Sequence, residues 1–146
     1  MKFKIIRIDE NKDEEFIAYL HQNSENEIKI AELLGELKPK LVAYDYKSAY
    51  TLSLDEIYAF STENGKTHAI LSERTLDLKE RLYVLERIAG DSFLKINQSC
   101  LVNVSKILKF EASFSGAMLV VMKNGFKDYV SRRQIRNVKE RMGIRK

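Results

Sequence analysis

Apolar and polar positions alternate at the start of the chain: Phe3, Ile5, Ile6 and Ile8 are apolar, Lys4 and Arg7 polar. That alternation predicts a strand over residues 2–8. Asp9 to Asp13 is a polar break. Glu15 to His21, EFIAYLH, is short and rich in aromatic and branched side chains, which predicts a second strand, with a helix as the competing reading. Ser24-Glu25-Asn26-Glu27 then has the form of a capping box, Ser24 being the N-cap. Ile28, Ala31, Leu34 and either Leu33 or Leu37 line one face of the helix that should follow. Pro39, the only proline, stops it.

Beyond Pro39 the pattern turns to short β-branched or aromatic runs between polar breaks: KLVAYDY, AYTLSL, IYAFSTE and THAILS. Asn64-Gly65 separates two of them and predicts a tight hairpin. Lys79 to Ile88 returns to helical spacing through Leu82, Leu85 and Ile88, and Ala89-Gly90 ends it. Further strands are expected at Phe93, Ile107–Phe110, Met118–Met122 and Phe126–Val130, with Asn124-Gly125 turning between the last two. A final helix should run from about Ser131 to Met142, closed by Gly143. The sum is a mainly β (α+β) fold of short antiparallel strands with few helices. A seam near residues 39–46 divides an N-terminal strand–strand–helix extension, residues 1–44, from a mainly β domain, residues 45–146.

With 146 residues and 45% hydrophobic content, the chain can build one ordinary domain and a short extension. The first fifteen residues carry charges throughout and lack the apolar core of a secretory signal. The longest uninterrupted apolar run, Ala117 to Met122, is too short to span a bilayer. A single cysteine, Cys100, excludes an internal disulfide and suits a reducing compartment, so a cytoplasmic location is expected. His21, His68 and Cys100 lack paired-ligand spacing, and no nucleotide-binding or hydrolase motif occurs. Neither an enzyme, a cofactor, a metal site nor a small-molecule substrate is therefore expected.

Charge changes the picture more than composition does. Residues 93–146 hold 12 Lys and Arg against 3 Asp and Glu, a net of +9, whereas residues 1–92 hold 13 against 18, a net of −5. A basic half joined to an acidic half suggests a polyanionic partner. Two stretches concentrate the chemistry. In FLKINQSCLVNVSKILKF, residues 93–110, the donors Lys95, Asn97, Gln98, Ser99 and Asn103 interrupt a segment that otherwise suits a core. Asn103 is expected to bind buried backbone at a turn, and Ser99 stands between that role and an external contact. In YVSRRQIRNVKERMG a capping box, Ser131 to Gln134, sets Arg132 and Arg133 in the first helical turn. Cations there oppose the helix dipole, at about 0.3–1 kcal/mol each, unless an anion is expected beside them.

These segments resemble the LytTR DNA-binding domain of bacterial transcription regulators. FLKINQSCLVNVSKI, followed by a hairpin with KNGFKDYVSRRQI, carries the likeness through Phe93, Lys95, Ser99, Val102, Asn103, Ile107, Ser131 and Arg132. LSLDEIYAFSTENGKTHAIL resembles the family's first hairpin and RLYVLE its helix, so the likeness covers roughly residues 45–146. The resemblance implies an elongated stack of small antiparallel sheets whose loops enter successive major grooves of double-stranded DNA. It implies base contacts from His68, Gln98 and Arg133. It implies phosphate contacts from Lys95 and Arg132, to which Asn97 and Ser99 are added. Asn97 stands where the family often has His or another polar residue, and Cys100 replaces a usual aromatic. The resemblance further implies a homodimer on repeated sites. For the N-terminal extension it suggests either dimerisation or capture by a small membrane-protein inhibitor. The competing expectation is an RNA-binding or protein-interaction module of small β-barrel type. An RNA reader would need exposed aromatics on a strand face. Phe93, Phe110, Phe114, Phe126 and Tyr129 fall mostly at core spacing instead.

Overall fold

The computed structural model describes residues 2–36 and 39–145. The chain divides into two compact units, Met1–Leu37 and Lys38–Lys146. The first contains one helix, α1 (Asn26–Glu36). Its start is tied by Ser24, whose hydroxyl accepts from the Asn26 N–H at 3.2 Å.

The two strands expected over residues 2–8 and 15–21 do not form. A strand needs a partner for its ladder and a core for one face, and neither segment has one. Phe3, Ile5, Ile6, Phe16, Ile17 and Tyr19 are all exposed. Ile28 and Leu33 of the expected apolar face of α1 are also mostly in water. Leu37, a further candidate for that face, and Lys38, which precedes Pro39, lie outside the described residues.

The second unit holds ten strands and two α-helices: β1 (Lys40–Tyr44), β2 (Ala49–Ser53), β3 (Ala59–Glu63), β4 (Lys66–Ile70), β5 (Thr75–Leu78), α2 (Leu82–Ala89), β6 (Phe93–Asn97), β7 (Cys100–Asn103), β8 (Ile107–Ala112), β9 (Met118–Met122), β10 (Lys127–Val130) and α3 (Arg132–Met142). Seven strands form one sheet in the order β2-β1-β5-β4-β3-β7-β6, and three form another in the order β10-β9-β8. All the pairings are antiparallel. The fold is thus mainly antiparallel β, as the runs of short strands predict. β1 belongs to this unit, so the boundary falls near residue 38, a few residues before the end of the 1–44 extension that the sequence pattern predicts. β5, TLDL, was not anticipated. Only four residues long, it alternates Leu76 and Leu78 into the core with Thr75 and Asp77 outward.

Alternation along the large sheet builds two cores, one on each face. Phe60, Leu76, Phe93 and Leu101 pack with Leu85 and Ala89 of α2. Ala59, Leu94, Ile96, Cys100 and Val102 point the other way and meet Val120 and Met122 of β9 and Val138 of α3. Each large side chain so withdrawn contributes about 1.5–3 kcal/mol.

The turns follow their residues. Asn64 and Gly65 both have positive φ, 52° and 78°, which is the twist a two-residue hairpin requires. At the β9–β10 turn only Gly125 has positive φ, 93°, so the loop is longer and closes through the Met122 N–H to the Phe126 carbonyl at 2.7 Å. α3 ends at Gly143, in the left-handed conformation with φ 67°. Asn103 is 5% exposed and does what a buried amide must. It donates to the carbonyl of Ile57 at 2.9 Å and accepts from the Ser105 hydroxyl at 2.8 Å and the Ser105 N–H at 3.1 Å.

Candidate nucleic-acid interface

The candidate residues gather around the end of β6. Asn97 closes that strand, Gln98 and Ser99 form the turn, and Cys100 opens β7. The Asn97 side chain holds the turn from inside, accepting the Ser99 N–H on Oδ1 at 2.8 Å. Its Nδ2 donates to the Tyr129 carbonyl on β10, also at 2.8 Å. From the other side, the Thr62 N–H of β3 donates to the Ser99 carbonyl at 2.8 Å. Gln98 and Ser99 are left exposed on a turn fixed by neighbours on two elements.

The entry of α3 is attached to the same place. The Ser131 N–H donates to the Ile96 carbonyl at 2.8 Å. Gln98 and Arg133 each lie two residues from that bonded pair. Chain length alone therefore keeps their backbones within roughly 20 Å of each other. Arg132 and Arg133 are both exposed, and neither has an acidic partner among the described residues. The capping box expected at Ser131 does not close, because the Ser131 side chain makes no cap hydrogen bond. The Ser131 carbonyl instead takes the N–H groups of Gln134 and Ile135, leaving those of Arg132 and Arg133 pointing out of the helix.

Lys95 lies on the α2 face of the large sheet, in line with Leu101. It borders a depression of about 490 Å³ with Thr62, Thr67, Arg81, Tyr83 and Gln98. Arg81, at the start of α2, is not marked out by the sequence, since a lone basic residue before a helix carries no signal of its own. His68 occupies the opposite face, in one row with Ser61 and Cys100 across β4, β3 and β7. Its Nδ1 lies 2.8 Å from Oδ1 of Asp77 on β5. The structure thus brings Asn97, Gln98, Ser99, Arg132 and Arg133 together. Lys95 adjoins them on one face, and His68 sits on the other, two strands inward.

Cys100 sits beneath the turn, fully buried. Burial pushes its thiol well up from the ordinary range, and the nearby Asp128 carboxylate adds to the effect. Of the aromatics placed at core spacing, Phe93 is buried and Phe110 and Phe126 are partly so, but Phe114 and Tyr129 are exposed. Among the described residues, no group of three or more His, Cys, Asp or Glu side chains is arranged to hold a metal ion. No described helix is long and apolar enough to cross a membrane.

The family model for the LytTr DNA-binding domain matches residues 47–143. The chain belongs to the LytTR DNA-binding domain family. The LytTR match takes in every candidate side chain from His68 to Arg133. Relatives include an uncharacterized HTH-type transcriptional regulator of Staphylococcus aureus strain NCTC 8325 / PS 47, 32% identical over 104 residues. A second, from strain bovine RF122 / ET3-1, is 31% identical over 104 residues. In each case the match spans 71% of this chain and 71% of the relative. Among solved structures, the LytTr DNA-binding domain of a protein described as a methyl-accepting/DNA response regulator from Bacillus cereus superposes with a TM-score of 0.67. It is 21% identical, covering 73% of this chain and 98% of that one, and shares the LytTR fold.

Proposed function

We propose that this LytTR chain is a transcription regulator that binds double-stranded DNA sequence-specifically, as a dimer on repeated sites, reading major grooves through loop side chains. The observation that carries this reading is the attachment of the Gln98 turn to the entry of α3. The Ile96–Ser131 and Asn97–Tyr129 hydrogen bonds present an amide and two unpaired guanidiniums from one rigid place. Gln98 suits the paired donor and acceptor of an adenine edge, and Arg133 the two acceptors of guanine. Arg132, the free N–H groups at the start of α3, and Lys95 suit phosphate. Ser99, exposed at the turn, adds a neutral phosphate contact. Asn97 serves differently: both polar atoms of its side chain are engaged by the fold, so it positions the turn. His68 reads a base in this scheme with its ring oriented by Asp77.

No two α-helices among the described residues are joined by a short turn; α1 and α2 are separated by five strands, and so are α2 and α3. A helix-turn-helix pair is therefore not the reading device. The exposed Phe114 and Tyr129 give the RNA alternative its one support, as stacking platforms. A gel-shift competition decides. A labelled duplex selected for binding should be displaced by unlabelled duplex and left in place by single-stranded RNA of matched sequence. Displacement by the RNA at equal concentration would overturn the assignment.

A further inference from the structure

The depression beside Lys95 has a floor and a far wall that base reading leaves unused. Thr62 of β3 and Thr67 of β4 stand opposite each other, and Thr67 stands opposite Leu78 of β5. Directly opposed residues share a face, so both threonines turn toward α2 with the core side chain Leu78. There neither hydroxyl has a partner. Thr67 is 7% exposed, lines the depression and makes no side-chain hydrogen bond among the described residues. Thr62 Oγ1 is shut off from water and is likewise unpaired. Buried hydroxyls are normally paired, so two unpaired ones at the bottom of a hollow point to a missing partner.

The far wall shows that this partner is an anion. The Arg81 side chain makes no cap hydrogen bond, and the first turn of α2 has no acidic residue. The Arg81 carbonyl takes the N–H groups of Val84 and Leu85, which leaves those of Leu82 and Tyr83 without an intrahelical partner. Arg81 and Lys95 border the hollow from two different elements, and neither has an acidic partner among the described residues. We propose that the hollow is a seat for a phosphate group, held by Arg81, Lys95, the free N–H groups of α2 and the Thr67 hydroxyl. Rotation about χ1 exchanges the Thr62 methyl and hydroxyl and brings the latter in as well. Donors on several sides suit a tetrahedral oxyanion better than a planar carboxylate. Glu86, a carboxylate on the lining, opposes the anion and limits its affinity. At about 490 Å³ the hollow has room for more than the phosphate alone. The carrier is either the backbone of a duplex read at Gln98, on its rim, or a free phosphate compound. The duplex case rests on the proposed function, and the free-phosphate case does not.

Amide NMR of the full chain, titrated with sodium phosphate against sodium chloride at equal ionic strength, tests the seat without DNA. The Leu82 and Tyr83 amide signals should shift saturably, with a Kd on the order of 1 mM. Thr67→Val removes the hydroxyl at nearly constant volume, and Arg81→Ala removes the guanidinium. Each should weaken phosphate binding roughly tenfold, whereas Glu86→Gln should strengthen it about two- to fivefold. Circular dichroism melts confirm that the variants fold. A second arm measures duplex affinity against salt by fluorescence anisotropy. If a DNA backbone fills the seat, Arg81→Ala should flatten the salt dependence by about one unit of slope, and Thr67→Val should weaken every duplex alike. Saturable phosphate shifts with both duplex readouts unchanged would assign the seat to a free phosphate compound. Shifts no larger than those with chloride, together with unchanged duplex readouts, would overturn the proposal. So would shifts that both Thr67→Val and Arg81→Ala leave intact. A chain that takes phosphate here and binds no duplex would sink the proposed function alone. Sequence-specific duplex binding with neither arm responding would sink this inference alone.

Discussion

Replacing Asn97 by alanine separates positioning from contact at the interface. The substitution removes two hydrogen bonds of 2.8 Å, one from the Asn97 amide to the Tyr129 carbonyl and one from the Ser99 N–H. Both lie on partly solvated groups, so water replaces some of what is lost. Each is worth about 0.5–1.5 kcal/mol net, and the pair about 1–2 kcal/mol. For a domain of this size, that lowers the melting temperature by roughly 5–15 °C. The turn then loses its attachment to β10, and Gln98 is no longer held in register with α3. DNA affinity should fall together with stability, by about tenfold. Gln98→Ala is the control, since the Gln98 side chain is exposed and makes no hydrogen bond among the described residues. It should leave stability within about 0.5 kcal/mol of wild type while changing base preference. Urea denaturation and a fluorescence-anisotropy titration of a selected duplex give the two readouts. If Asn97→Ala lost affinity at unchanged stability, Asn97 would be a direct DNA contact, and the positioning argument would be wrong.

Lys95→Ala should weaken binding to every duplex alike and flatten the salt dependence by about one unit of slope; an unchanged slope would remove Lys95 from the phosphate contacts. Asn103→Ala should cost about 1–3 kcal/mol, because it strands the buried Ile57 carbonyl, while the exposed Ser105 N–H turns to water, and chemical denaturation would show it. Cys100, buried and held protonated at neutral pH, should resist iodoacetamide in the native protein and react fully in denaturant; native labelling at the rate of a free thiol would contradict its placement.

Much of the second unit was legible because local signals and tertiary packing agree there. Asn64-Gly65 fixes its hairpin through backbone freedom alone, and Gly143 closes α3 for the same reason. Asn103 could be assigned inward because an amide between buried branched residues needs backbone partners. Alternation misled at residues 2–21, where its rule assumes a ladder and a core that this chain does not provide for itself. β5 escaped notice because four residues give too few periods to recognise. At the site, the spacing of Gln98, Arg132 and Arg133 was visible, but their attachment was not. Asn97 and Tyr129 are 32 residues apart, and no local pattern announces such a bond. The opposite facing of Lys95 and His68 follows from strand register, which sequence specifies only through the whole sheet.

Gln98 and Arg133 should act side by side on one stretch of duplex. Selection of bound sequences from a random duplex pool tests it, run in parallel with wild type, Gln98→Ala and Arg133→Ala. Each variant should recover the wild-type site with preference lost at one base position of each repeat, and within a repeat the two positions should lie within one helical turn, roughly 34 Å. Recovery of the full wild-type site by both variants, or losses more than a turn apart, would contradict the claim.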